Sequence, residues 1–169
     1  MSEQLDYFDR YGFFKGRETR EFIHNRGLWH KGVHVWVFNS RGELFLKKRA
    51  RERKFYPGHW EDVGEHLKPG ESFEEGAKRG LLEELGIKGV KLERVAEAKM
   101  CFPEKNCELV ELWKCVCNGK IKENKKESTC GRFFSLEEIK EMMKEREKIT
   151  PWFKELFYWY LKEERGSEK

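Results

Sequence analysis

No stretch of this 169-residue sequence stays apolar for anything near the ~20 residues that a membrane span needs. The opening MSEQLDYFDR has neither the basic start nor the apolar centre of a secretion signal. These absences read as a cytoplasmic protein without a membrane partner. Cysteine is sparse as well, with five residues, an odd number, and no CxxC pair. That predicts reduced thiols and excludes a disulfide framework. Cys101, Cys107, Cys115, Cys117 and Cys130 read as strand-packing residues rather than zinc ligands, since Cys115 and Cys117 lie too close for a zinc knuckle. The net charge of +4 is small for the length, so a nucleic-acid polymer is not an expected partner. Internal repeats and long low-complexity linkers are also missing.

What is present is charge and aromatic mass together, 39% charged residues beside 14% aromatic ones, which is not a disordered composition. Lys and Glu dominate the charged set, as in heat-adapted (thermophile) proteins with surface ion pairs. The length suits one domain with a sizeable core. The expected organisation is a single domain over 1–169, with an N-terminal extension over about 1–28 and a terminal helix over about 151–164. One basic run, Lys47, Lys48, Arg49, Arg51, Arg53 and Lys54, reads either as a solvated loop or as a surface for a phosphate-rich ligand.

VHVWVFN (33–39) alternates Val against His, Trp and Phe, and the turn SRG carries the chain into ELFLKKR, so two strands are expected there. KLERVAEAKMCF and ELVELWKCVC read as two more. Ser135 with Glu138 three residues on forms a capping box, and Thr150 before Pro151 starts an aromatic helix. Strands on both sides of a central helix, then two C-terminal helices, predict an α+β fold, an α/β/α sandwich around a mixed sheet.

The central helix is GESFEEGAKRGLLEELGI (70–87), helical from Phe73 to Leu85 and ended by Gly86. Arg79, Glu83 and Glu84 fall within little more than one turn. Adjacent carboxylates repel unless a cation lies between them, so the cluster is either a solvent-facing acidic patch or a site for a hard divalent ion. Gly80 is out of place, costing about 1 kcal/mol relative to Ala in a helix interior.

The run Gly64, Gly70, Glu71, Arg79, Leu81, Glu83, Glu84, Gly86 and Ile87, preceded by Trp60, resembles the Nudix box. The resemblance implies that the Gly64 carbonyl, Glu83 and Glu84 hold a divalent metal against a substrate diphosphate. It further implies that Glu71 pairs with Arg79 to brace the loop, with Gly70 and Gly86 as structural positions. Two residues depart from the box. Glu65 stands where its second Gly belongs, and Gly80 stands where the first of three helix glutamates belongs. By this reading the site has lost a carboxylate, and Gly80→Glu is expected to strengthen metal binding.

WVFN at 36, KRARERKFYPGHW from 48, ELV from 108, SLEEIKEM from 135 and ITPWFKELF from 149 also resemble isopentenyl-diphosphate isomerase and its related hydrolases. That resemblance implies histidine metal ligands at His30 and His66, with His24 as a further candidate one residue short of the expected spacing. It implies a metal-binding catalytic glutamate at Glu108, diphosphate contacts at Arg49 and Arg53, and an aromatic wall at Trp152. The isomerase has a thiol beside the histidine of its box, whereas no cysteine occurs here before Cys101. The leading expectation is therefore a hydrolase dependent on Mg2+ or Mn2+ that cleaves a diphosphate linkage in a small organic or nucleoside diphosphate. The alternatives are isopentenyl-diphosphate isomerisation and a catalytically silent diphosphate-binding module. Glu84 and Glu108 are the expected catalytic residues, with Glu111 competing for the role of base because strand register is not fixed by sequence. Oligomeric state stays open, a homodimer included.

Overall fold

Turn and cap residues cut the chain into nine strands and four helices among the described residues, which are 2–166 of a computed structural model. β1 (Gln4–Phe8) and β2 (Phe14–Thr19) form a hairpin that leads into α1 (Arg20–Arg26). Thr19 caps α1 by accepting from the Phe22 N–H, and Gly27 closes it in the left-handed conformation. β3 (Trp29–Phe38) and β4 (Leu44–Arg49) flank the SRG turn. β5 (Trp60–Glu61) and β6 (Val63–His66) precede α2 (Phe73–Leu85). β7 (Glu93–Cys101), β8 (Cys107–Val116) and β9 (Ser128–Phe134) follow, then α3 (Leu136–Lys144) and α4 (Pro151–Gly166).

β3 is the axis of the sheet. It runs parallel to β8 without a break from Trp29↔Cys107 to Phe38↔Val116, and pairs antiparallel with β1, β4 and β6. The alternation in β3 serves two cores, because both faces of this strand are covered. Val33, Val35 and Val37 pack with Phe45 and Val63 against Ala77, Leu81 and Leu85 of α2. Trp36 packs on the other face with Leu44, Leu46, Leu112 and Phe134, against Ile139 of α3 and Phe153 and Phe157 of α4. Each fully buried side chain of this size contributes roughly 1.5–3 kcal/mol. A mixed sheet between helices is the α+β architecture expected. No helix among the described residues is long and apolar enough to cross a membrane.

Strand parity positions the polar residues. Two residues beyond Phe45, Lys47 faces α2; two beyond Val63, so does Glu65. Two before Val110, Glu108 shares the face of His34 and Trp36. β3 and β4 pair only at Phe38↔Leu44, after which β6 takes the edge of β3 while β5 pairs with β4. The gap between these two pairs opens to both groups of polar residues.

One expectation needs correction. The β7–β8 register sets Cys101 opposite Cys107, and the two are joined by a disulfide, while Cys115, Cys117 and Cys130 are free thiols. A hairpin can oppose two cysteines without any CxxC spacing. Of the basic run, Lys47, Lys48 and Arg49 lie on β4, the strand expected for ELFLKKR, and Lys47 is buried.

α2 is fixed at its start by a capping box. Ser72 Oγ accepts from the Glu75 N–H at 3.2 Å, and the Glu75 carboxylate accepts from the Ser72 N–H at 2.9 Å. Ser72→Ala should lower stability by about 1 kcal/mol in chemical denaturation; an unchanged midpoint would show that packing alone sets this helix end.

Candidate metal and diphosphate site

The gap in the sheet is a cavity of about 630 Å³, lined by histidines and Glu108 on one side, by Glu61, Glu65, Glu83 and Glu84 on another, and by Lys47, Arg49, Arg53 and Trp152.

At the histidine end, His24 comes from α1, His30 from β3 and His66 from the last position of β6. One ligand atom from each lies within 4.8 Å of the others. Nε2 of His24 and of His30 is buried without a hydrogen-bond partner. Burial, reinforced by repulsion from His66, pushes His24 down to about 3 and His30 down to about 4, so both rings are neutral near pH 7. Neutral imidazoles with orphaned buried nitrogens are suited to a cation. Between His24 and His30 the left-handed turn at Gly27 ends α1 and leads into β3.

Glu108 borders this cluster. Its Oε1 is 3.2 Å from His66 Nε2 and accepts from the Asn106 side chain at 2.7 Å. Burial works against its ionisation, but His66 bonding and the nearby imidazole charges outweigh it and hold the carboxyl below the usual range. His34 adds to this from 3.9 Å. Burial alone would lower the His34 pKa, yet its contact with Asp62, at 3.1 Å to each carboxylate oxygen, raises it to about 9. Asp62 is held in turn by the Trp36 Nε1–H at 2.8 Å. Gly32 leaves room for Glu108, since a Cβ there would lie 2.6 Å from Oε2. Glu111 points elsewhere, to Arg94 and Trp113, so the register separates the two candidate glutamates.

The carboxylate end is organised by Lys47. Its Nζ lies 2.8 Å from Glu61 and 2.6 Å from Glu84, with all three side chains buried. Burial pushes the Glu84 carboxyl upward; Lys47 opposes this, and the charges of Glu65 and Glu61 reinforce it. Glu61, Glu65 and Glu84 converge here on Lys47, Arg49 and Arg79, and an oxygen donor set of this kind suits a hard divalent ion. Glu83, by contrast, is about half exposed and pairs with Arg79 at 3.4 Å.

Arg79 braces the loop as well as the helix. It donates to both Glu71 oxygens at 2.8 and 2.9 Å, to Glu65 at 2.9 Å and to the His66 carbonyl at 2.8 Å. Gly70 and Gly86 both adopt positive φ, at the turn before α2 and at its C-cap. On the opposite wall Arg49 binds Glu61 at 2.6 Å and lies 5.2 Å from the Trp152 ring centroid, while Arg53 pairs with Glu127 at 2.6 Å.

The model of the NUDIX domain matches residues 28–153. The chain belongs to the Nudix family. An uncharacterised Nudix hydrolase of Clostridium acetobutylicum is 40% identical over 90 residues, 50% of this chain and 43% of that protein, so the chain spans less than half of that relative's length. An isopentenyl-diphosphate Delta-isomerase of Photorhabdus laumondii is 28% identical over 133 residues, 74% of this chain and 75% of the isomerase. A crystal structure from Deinococcus radiodurans superposes with a TM-score of 0.80 over 92% of this chain and 98% of its own, at 20% identity, which speaks to the fold alone.

Within this Nudix chain the expected site residues Gly64, Glu83, Glu84, Glu108, His66, Arg49, Arg53 and Trp152 all line the one cavity, and His30 lies directly behind it. Glu61, His34 and Asp62 lie outside the residues expected of the site, and Lys47 enters that expectation only through the basic run. The phase of Lys47 with Phe45 was a usable signal; nothing local distinguishes Asp62.

Removing the charge of Lys47 leaves buried Glu84 without its cation, while Glu61 keeps Arg49, so Lys47→Met should cost about 3–5 kcal/mol in denaturant unfolding. A loss below 1 kcal/mol would mean that water already screens the triad. Glu71 is held below its ordinary value near 4.5 by hydrogen bonds from Arg79. Its contribution is therefore full above about 4.5 and fades as pH falls through the lowered value. The difference in thermal midpoint between wild type and Glu71→Gln should be widest at neutral pH and shrink on acidification; a constant gap would contradict the pairing.

Proposed function

We propose that this Nudix protein is a divalent-metal-dependent hydrolase that cleaves a diphosphate linkage in a small organic or nucleoside diphosphate. The observation that carries this reading is the meeting, in one cavity, of buried carboxylates, neutral imidazoles with orphaned nitrogens, and a cationic wall. Mg2+ or Mn2+ would be held by Glu84, Glu83 and the Gly64 carbonyl at the helix end, while Glu108, His30, His66 and His24 at the histidine end would suit Mn2+ better than Mg2+. When bound, such an ion supplies charge neutralisation for the diphosphate and a lowered pKa for water.

The remaining roles fall to the chain. Arg49 and Arg53 bind diphosphate oxygens, to which guanidinium presents two parallel donors. Trp152 offers an aromatic face for the organic part of the substrate. Glu108 is the proton acceptor: it stays ionised because His66 and His34 hold it so, and it borders the cavity. Glu111, turned away from the cavity, drops out of that role.

The histidine cluster with Glu108 and the Arg49–Trp152 pair favours a second reading, isomerisation of isopentenyl diphosphate. Against it, the residues before His66 are Gly64 and Glu65, with no thiol between Met1 and Met100.

A screen of nucleoside triphosphates, nucleotide sugars, dinucleotides and prenyl diphosphates with Mg2+, read by phosphate release and product mass, tests both. Hydrolysis of a diphosphate bond is expected; conversion of isopentenyl diphosphate to its dimethylallyl isomer without phosphate release would replace the hydrolase reading. Glu108→Gln should lower turnover by about 10²–10⁴-fold with the fold intact, and Glu84→Gln should also abolish activity. Full turnover in either variant would remove that residue from the reaction.

A further inference from the structure

The two departures from the Nudix box touch one another. Gly80 is buried in α2, and a Cβ built on it would lie 2.7 Å from Cγ of Glu65 and 3.4 Å from Cγ1 of Val63. The stem of the Glu65 side chain therefore passes through the space that any larger residue at 80 would enter. Had Glu65 been the expected glycine, that space would be open; had residue 80 been glutamate, Glu65 would be displaced. A larger residue at 80 is thus accommodated only if Glu65 moves aside or is lost.

The Glu65 carboxylate lies at the carboxylate end of the cavity. Oε2 accepts from Arg79 Nη1 at 2.9 Å, and Oε1 takes no hydrogen bond among the described residues. Its charge acts on the buried Glu84, and the two carboxylates line the same cavity. Parity explains the direction, since Val63 and Glu65 both face α2 from β6 while Gly64 and His66 face the histidines.

We infer that Glu65 supplies, from the loop strand, the metal-holding carboxylate that position 80 of the helix lacks, and that Gly80 is kept small to admit it. The proposal rests on the metal reading of the α2 end given above. It reverses the expectation drawn from sequence for Gly80→Glu. That substitution on its own adds a carboxylate but pushes Glu65 aside, so it should weaken metal binding rather than strengthen it. Gly80→Ala, which adds bulk and no charge, should weaken it too.

The test is Mg2+ binding to the substrate-free protein by titration calorimetry, with circular dichroism melts in the absence of Mg2+ to establish folding. Mg2+ prefers oxygen ligands and so reports on the carboxylates rather than the histidines. Glu65→Gln, nearly isosteric, should weaken Mg2+ by about tenfold or more, as losses at a metal site do. Gly80→Ala and Gly80→Glu should each weaken it, and the double exchange Glu65→Gly with Gly80→Glu should restore affinity to near the wild-type value. Such recovery is non-additive, the signature of two coupled sites. Wild-type affinity in Glu65→Gln alongside impaired binding in Glu84→Gln would overturn the exchange and leave the helix site standing. Unimpaired binding in Glu84→Gln would overturn the helix site and the exchange together. A folded double variant no better than Gly80→Glu alone would also overturn the exchange.

Discussion

The guanidinium of Arg79 is the constraint on which the site depends. One planar group satisfies both oxygens of Glu71, one of Glu65 and the carbonyl of His66, which are parts of the turn before α2 and of β6. A Lys in its place could not present donors in this fixed fork. Because Arg79 is one turn from Glu83 and five residues from Glu84, the same group sets where the helix carboxylates stand relative to the loop. The capping box at Ser72 fixes the start of that helix, and Leu81 and Leu85 fix its apolar face on the sheet.

Around this brace the cavity is a problem in charge balance. Lys47 lies between Glu61 and Glu84, Arg49 takes the other oxygen of Glu61, and His34 is charged by Asp62 beside Glu108. Groups that water would solvate in an open loop are held here by one another, so each partner is positioned before any ligand arrives. His24 and His30 are the exception, neutral rings whose Nε2 atoms are buried and unmet by protein. The cavity thus joins a nitrogen-rich end to an oxygen-rich end, which bind different kinds of cation well.

Long periodic elements were legible. VHVWVFN announced β3, the Nudix-like run announced α2 from Phe73 to Leu85, and Ser135 with Glu138 announced α3. The first strands and α1 were not, because the strands are short, charged and bury only Leu5, and α1 buries only Ile23. His24 belonged to that unreadable segment. Among the cysteines, spacing along the chain said nothing of the opposition of Cys101 and Cys107 across a hairpin.

By itself the sequence determined the family, through residues at fixed spacing whose roles are local: glycines at left-handed turns, an Arg eight residues from its Glu, a cap before a helix. It also determined which chemical groups were at hand. The tertiary structure decided which of them meet. Strand register put Glu108 at the cavity and turned Glu111 to Arg94, the splaying of β3 from β4 brought Lys47 and Glu61 to Glu84, and the crossing of β6 over α2 set Glu65 against Gly80. Local spacing encodes contacts within a turn or two of chain, whereas these join residues from 15 positions apart, Glu65 and Gly80, to 78 apart, His30 and Glu108, and only packing supplies them.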